Sequence, residues 1–144
     1  MEKVNLQIAV RNAMRLRMIQ NKIITEQQIQ LPNTNFEKPQ SGVWLRESIT
    51  EGSEEPFSNS AGHLFAVVTY EVFSRTAYGT DEADAMVEAI GRIFPVIGGS
   101  SVVYNEKGQY ACIKSIDKPA GGVDSEDSGW YRRIVAVTIE MYNP

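Results

Sequence analysis

Apolar residues recur at helical spacing in two segments of the chain. In residues 4–20 they alternate with Gln and Arg, and Asn5 is the expected N-cap of the predicted helix. In residues 80–94 they form a continuous stripe behind Thr80 and an acidic first turn, and Pro95 ends the pattern. The sequence therefore predicts two amphipathic helices.

Runs of bulky residues with a two-residue period predict the strands. The segment 63–74 is the strongest, and because both of its faces are largely apolar, we expect it at the centre of a sheet. A short turn at 106–108 joins two of the others as a hairpin. The predicted strands are 28–31, 43–50, 63–74, 101–105, 109–116 and 130–142.

Two long segments between these elements, 51–62 and 117–129, are polar and rich in Gly, Ser and acidic residues, which predicts loops. The strands outnumber the helices, and several are linked as hairpins. This order predicts an α+β fold, with one mostly antiparallel sheet of about five to six strands and two α-helices packed on one face. With 144 residues the chain fits a single domain, 1–144.

The charge pattern argues against nucleic-acid binding. The net charge is −4 at pH 7, and residues of both signs are spread along the chain. The one basic cluster is Arg11, Arg15 and Arg17. In the first predicted helix Arg11 and Arg15 share a face, which we interpret as solvated.

One cysteine, Cys112, cannot form a disulfide within the chain, which suits a reducing compartment. No apolar run is long enough to span a membrane, and the first residues lack the apolar region of a signal peptide. We therefore expect a protein that is made and used in the cytosol.

Side chains that usually carry chemistry are too few and too scattered for an active site. The only histidine, His63, lies at the start of a strand, far from Cys112, so zinc would lack ligands. Residues 124–129 are acidic, but Val135 stands where a calcium loop needs a bidentate Glu. We therefore predict no enzyme activity and no catalytic, cofactor-binding or metal-binding residue.

The segment 28–49 is the most informative part of the chain, because it joins two strands through a loop that carries no catalytic side chain. We expect Phe36 and Trp44 to anchor this loop against the fold or a neighbouring subunit, since large aromatic side chains on strands often form such contacts. The path of the loop is fixed by Pro32, Pro39 and Gly42.

In its succession of segments the chain resembles the tail terminator proteins of long-tailed bacteriophages. The resemblance covers most of the chain, and its most specific parts are LPN at 31–33, Phe36, and G-x-W-L-R at 42–46. The segments that carry it are IAVRNAMRLRM, IQLPNTNFEKPQSGVWLRESI, FAVVTYEVFS, DEADAMVEAIGRIF and GWYRRIVAVTIEMY.

The resemblance implies a structural virion protein that forms a ring, expected to be hexameric, at the tail–neck junction. The ring would stop polymerisation of the major tail tube protein and present a surface to head-completion or connector proteins for head–tail joining. Assembly is expected in the host cytoplasm, without a cofactor, a membrane or a specific nucleic-acid partner, although DNA could pass through the ring. We expect the loops 51–62 and 117–129 to order on assembly, the second at the ring surface or lumen.

Other interpretations stay open. The chain could be another phage neck or tail-completion protein, which sequence alone separates poorly from a tail terminator. A small enzyme or ligand-binding domain would place its pocket between the sheet and the helices, and a nucleic-acid adaptor would use the sheet itself. The scarcity of His and Cys argues against the enzyme or ligand-binding domain, and the negative net charge argues against the nucleic-acid adaptor.

Overall fold

The computed structural model describes residues 3–31, 35–39, 42–54, 62–96, 102–124 and 127–143. Within these residues the chain forms two α-helices, α1 (Lys3–Gln20) and α2 (Asp81–Ile93), and seven β-strands. The strands are β1 (Ile29–Gln30), β2 (Val43–Glu54), β3 (Gly62–Arg75), β4 (Val102–Glu106), β5 (Gln109–Asp117), β6 (Gly122–Val123) and β7 (Trp130–Asn143).

All of these strands belong to one sheet with the order β1-β2-β3-β7-β5-β4. The short β6 continues the line of β5 along the same side of β7. The pairing of β1 with β2 is parallel and the other pairings between described strands are antiparallel. The sheet is therefore mixed, with a parallel edge that the sequence did not indicate, and β3 occupies the predicted interior position.

The main core contains buried side chains of the strands and of both helices. Alternate residues of β3 enter this core, as its two-residue period predicts, and each is at most 2% exposed. From β3 these are Leu64, Ala66, Val68, Tyr70 and Val72. From the helices and the residue after α2 they are Leu6, Val10, Met14, Met18, Ala83, Met86, Val87, Ile90 and Phe94. Intervening strand residues, such as Phe65 and Val67, are half-buried on the opposite face, which we call the outer face.

Several predicted boundaries are wrong. The helix α1 begins at Lys3, so Asn5 lies inside it and is not the N-cap. Thr80 does precede α2, but its side chain makes no capping hydrogen bond to the backbone. The strand β2 runs on to Glu54 through residues predicted as loop, because the ladder to β3 continues past the apolar residues, with a register irregularity after Glu51.

The second predicted loop, 117–129, contains the strand β6, whose residues pair with Arg132 and Tyr131. The predicted hairpin turn joins β4 to β5 through Lys107 and Gly108, which both have positive φ, 54° and 81°. Such a two-residue turn favours Gly because both positions adopt left-handed conformations. In the described part of the chain, neither helix has the length and hydropathy needed to cross a membrane.

Candidate functional site

One end of the outer face carries a compact group of aromatic rings. Trp44 of β2, Phe73 of β3 and Trp130 of β7 are all buried and form a second core, separate from the main one. The ring of Trp44 stacks on Phe73 at a centroid distance of 4.2 Å and meets Trp130 edge-on at 5.8 Å. The register causes this grouping, because Trp44 lies directly opposite Phe73 in the ladder.

The loop before β2 is anchored to this aromatic group. Phe36 packs on Trp44 with 5.1 Å between ring centroids and 34° between ring planes. Gly42 has a φ of 83°, a left-handed conformation that favours glycine and turns the chain into β2. The predicted anchoring of the loop by Phe36 and Trp44 against the fold is confirmed, whereas Pro32 lies outside the described residues.

Two cations share the ring of Trp130. The guanidinium carbon of Arg75 lies 4.1 Å from its centroid, and Nζ of Lys38 lies 5.9 Å from it. Lys38 is also 5.5 Å from the ring of Trp44. A cation above an aromatic face is attracted by the negative face of the ring, which holds both side chains at this surface.

A carboxylate lies between two further arginines beside the rings. Arg46 donates from Nε to Glu71 Oε1 at 2.9 Å and from Nη2 to Oε2 at 3.1 Å, while Arg132 Nε donates to Oε2 at 2.7 Å. This paired geometry fixes both guanidinium groups. Partial burial opposes ionisation of Glu71, but the hydrogen bonds and charges of the arginines outweigh it, so the pKa of Glu71 lies below its usual value.

Two of the cations at this end of the outer face, Arg75 and Lys38, lie over aromatic rings. None of the ion pairs in the described part of the chain includes Arg75 or Lys38. The indole N–H of Trp44 is buried and has no acceptor among the described atoms. We call this surface the cationic–aromatic site; it comprises Lys38, Arg46, Arg75 and Arg132 around Trp44, Phe73 and Trp130. Its guanidinium and ammonium groups suit a carboxylate-bearing partner.

An open groove borders the cationic–aromatic site along β1. Its volume is about 620 Å³, and its lining includes Ile29, Leu31, Phe36 and Lys38. The groove lies beside the sheet edge and the loop before β2. It is therefore not the pocket between sheet and helices that an enzyme interpretation of the sequence required.

On the core side of the sheet, a buried ion pair fixes α1 to β2. The side chain of Glu47 is fully buried and accepts hydrogen bonds from Arg15, from Nε at 2.9 Å and from Nη2. Nε of Arg11 lies 3.3 Å from the same carboxylate. The interpretation of Arg11 and Arg15 as a solvated face is therefore wrong, and the hydrogen bond to Glu47 raises the pKa of Arg15.

A second polar contact fixes α2 to β7. Arg133 Nη1 donates to Asp84 Oδ1 at 2.7 Å, and the hydroxyl of Tyr131 donates to the same oxygen at 3.3 Å. Arg133 Nε also donates to the carbonyl of Pro119 at 3.2 Å. The hydrogen bond from Arg133 lowers the pKa of Asp84. Tyr131 thus packs against the main core, whereas Trp44 and Trp130 belong to the second core.

The residues considered for chemistry do not come together. The backbone of His63 pairs with Tyr142, whereas Cys112 lies in β5 opposite Glu140. Burial and the nearby charge of Glu140 raise the pKa of the Cys112 thiol. No group of three or more His, Cys, Asp or Glu side chains that could hold a metal ion occurs among the described residues.

The cationic–aromatic site was not predicted from the sequence as a unit. The sequence indicates that Trp44 anchors its loop against the fold or a neighbouring subunit, but it does not indicate that Trp44 meets Phe73 and Trp130. Their meeting depends on the β2–β3–β7 register, which a single sequence does not specify. The signal that could have indicated the site is that β2, β3 and β7 each carry aromatic or cationic residues near one end.

Comparison with known proteins gives one family match and a structural likeness. A family model described as phage tail terminator protein matches residues 9–140. No curated protein matches the chain. One solved structure is 17% identical, covers 94% of this chain and 94% of its own, and superimposes with a TM-score of 0.68, which shows a common fold alone.

Proposed function

Because the chain belongs to the family of phage tail terminator proteins, we propose that it is the structural protein that ends the tail tube. The observation that carries this proposal is the family match over residues 9–140, which covers nearly the whole sequence. In this proposal several copies form a ring on the end of the tube, and six is the expected number.

Features of the sheet support self-association. The edge strands β1 and β4 contain only two and five residues. Beyond Arg46, the outer edge of β2 has no strand beside it among the described residues. Unpaired strand edges of this kind form backbone hydrogen bonds with a second chain readily, so a ring contact would satisfy them.

The positions of the helices and the sheet suggest which surface of the molecule contacts its partners. We place both helices on one side of the sheet, since their buried residues share a core with the same face of β3. This arrangement leaves the outer face for contacts. We assign these contacts to neighbouring copies, to the major tail tube protein and to head-completion or connector proteins.

The proposed role is structural and not catalytic. It needs no cofactor and no sequence-specific contact with nucleic acid, in keeping with a net charge of −4. The ring assembles in the host cytoplasm and stays in the virion at the tail–neck junction, where it stops tube polymerisation and joins the tail to the head.

A phage lacking this protein tests the proposal, with tube length measured by electron microscopy. Tubes are expected to exceed the wild-type length and to lack heads, and purified protein added to growing tubes is expected to stop their elongation. If tubes keep their normal length without the protein while heads stay unattached, the chain acts as another neck protein and the proposal is wrong.

A further inference from the structure

Two cations of the cationic–aromatic site lie over an aromatic ring without a carboxylate beside them. The guanidinium carbon of Arg75 and Nζ of Lys38 are 4.1 Å and 5.9 Å from the ring centroid of Trp130. In the part of the chain that the structure describes, neither side chain takes part in an ion pair, although Glu37 precedes Lys38 in the sequence. The ring attracts both cations but has no net charge, so it does not neutralise them.

Two carboxylates of the neighbourhood are engaged with other groups. Glu71 accepts hydrogen bonds from Arg46 and Arg132 with both of its carboxylate oxygens. Oδ1 of Asp127, which lies near one of the two cations, accepts the backbone N–H of Gly129 at 2.9 Å. Neither carboxylate therefore forms an ion pair with those two cations.

The aromatic rings hold the two cations in position. Lys38 also lies 5.5 Å from the ring centroid of Trp44, to which Phe36 anchors the same loop. Side chains held in this way have already lost part of their rotamer freedom, so binding costs less conformational entropy than at an ordinary surface lysine or arginine. The N–H donors of a guanidinium lie in its plane, and a ring beneath Arg75 therefore leaves them available to an acceptor.

Burial of the rings favours a carboxylate-bearing segment over a nucleic acid. Trp44, Phe73 and Trp130 are each at most 2% exposed. Proteins that bind single strands stack the bases on exposed aromatic faces, which these three rings do not offer. The net charge of −4 also opposes contact with a phosphate backbone. The site thus offers fixed cations for charge-assisted hydrogen bonds and no surface for bases.

We propose that the cationic–aromatic site binds an acidic segment of a partner protein in the virion, whose carboxylates pair with Lys38 and Arg75. Side chains on one face of an extended segment follow each other at about 7 Å, so carboxylates of one segment can reach both cations. The inference rests on the proposed function for the place of the partner in the virion. Binding at the site is measured on the purified protein alone.

The positions of the tryptophans give a direct measurement of binding. The chain has two tryptophans, Trp44 and Trp130, and both belong to the site. Tryptophan fluorescence therefore reports on this surface, and calorimetry measures binding independently of it. The probe is hexaglutamate with both ends capped, which is expected to bind saturably. Oligothymidylate with six phosphates is the comparison probe and is expected to bind at least about tenfold more weakly.

The site variant carries Lys38→Gln and Arg75→Gln, and the matched control carries Arg92→Gln and Lys107→Gln. Both control residues are exposed, and neither belongs to a described ion pair or to the cationic–aromatic site. Each variant loses two positive charges. The site variant is expected to bind hexaglutamate at least about tenfold more weakly than wild type, whereas the control binds as wild type does.

Circular dichroism and denaturant titration check that each variant folds. Lys38→Gln alone provides a second test, because this side chain is exposed and its replacement is not expected to disturb the fold. Equal losses of binding in the site variant and the control would show general attraction by net charge and overturn the inference, as would wild-type protein that does not bind hexaglutamate. Tighter binding of oligothymidylate, lost in the site variant, would make the occupant a nucleic acid and the proposed segment wrong.

A phage lacking the protein separates this inference from the proposed function. Supplied with the site variant, it is expected to yield fewer infectious particles than with wild type or the control; an undiminished yield overturns the inference. If tubes keep their length without the protein while hexaglutamate binds at the site, the proposed function fails and the binding site stands. If wild type ends the tubes but does not bind hexaglutamate, the inference fails alone.

Discussion

The indole of Trp44 lies flat on the ring of Phe73, with 4.2 Å between ring centroids and 12° between ring planes. Both rings belong to the outer face and not to the main core. The stack joins β2 to β3 and, through Phe36, holds the loop before β2 against the sheet. It therefore supports the floor of the cationic–aromatic site and positions Lys38 above it.

Replacing Trp44 by Ala is expected to lower the free energy of unfolding by about 3–5 kcal/mol. The side chain is 2% exposed, and its loss leaves a cavity between Phe36, Phe73 and Trp130. Denaturant titration measures the effect. Tyr78→Ala is the control, because Tyr78 is 64% exposed and such a surface change is expected to stay within about 0.5 kcal/mol. Unchanged stability and normal assembly of Trp44→Ala would show that the loop is only a connector.

The buried ion pair between Arg15 of α1 and Glu47 of β2 predicts that replacing one residue lowers the free energy of unfolding more than replacing the other. Arg15→Met leaves the fully buried carboxylate of Glu47 with Arg11 alone and is expected to cost about 3 kcal/mol of unfolding free energy. Glu47→Gln is expected to cost less, because Arg15 is 19% exposed and can turn toward water. Chemical denaturation of both variants checks this order.

The double variant Arg15→Met with Glu47→Leu provides the control for that comparison. It removes both charges and keeps apolar volume, so it is expected to recover most of the stability lost in Arg15→Met. A double variant as unstable as Arg15→Met would show that packing of the arginine stem, and not its charge, holds α1 on the sheet.

Acid is expected to weaken the contact of Glu71 with Arg46 and Arg132. The pKa of Glu71 is lower in the folded protein than its ordinary value of 4.5, so the stability it contributes is fully present above about pH 4.5. That contribution is lost as the pH falls through the folded pKa. The difference in unfolding free energy between wild type and Glu71→Gln is therefore expected to shrink from pH 7 toward pH 3.

Glu88→Gln is the control for the acid experiment, because its side chain is 60% exposed and lies 3.6 Å from Lys118. Its stability is expected to stay within about 0.5 kcal/mol of wild type across the same pH range. A constant difference between wild type and Glu71→Gln from pH 7 to pH 3 would contradict the proposed charge dependence.

Helices and strands were predictable from the sequence where buried residues recur with the period of the helix or the strand. In β3 the alternation of apolar residues on both faces correctly predicted an interior strand, and the apolar stripe of α2 correctly predicted its buried residues. In β2 the alternation places Glu47 on the same buried face as Val43 and Leu45. A carboxylate that is buried on this face needs a partner.

The ion-pair partners of charged residues were not predictable from the sequence, because they depend on how distant helices and strands pack together. Arg15 meets Glu47 across 32 positions of sequence, and Arg132 meets Glu71 across 61. The strand β1 lies within the predicted strand 28–31, but its parallel pairing with β2 has no signal in the sequence. The strand β6 contains two residues, too few for any period to appear. The cationic–aromatic site was missed for the same reason, since the register of β2, β3 and β7 and the anchored loop that carries Lys38 bring its residues together.

The contact between α2 and β7 predicts that a side chain at Gly121 lowers the stability of the protein. A Cβ at Gly121 would lie 2.3 Å from the hydroxyl oxygen of Tyr131 and 2.5 Å from Cδ of Arg133, the two residues that hold Asp84. Gly121→Ala is therefore expected to displace both side chains and to lower the unfolding free energy by about 1–3 kcal/mol.

The neighbouring glycine gives a matched control for this prediction. A Cβ at Gly122 would meet no atom within 4 Å, so Gly122→Ala is expected to change the unfolding free energy by less than about 0.5 kcal/mol. Denaturant titration of both variants, with and without Asp84→Asn, measures the coupling. If Asp84→Asn costs wild type more stability than it costs Gly121→Ala, the glycine protects the Asp84 contact; equal costs in the two backgrounds would refute this explanation.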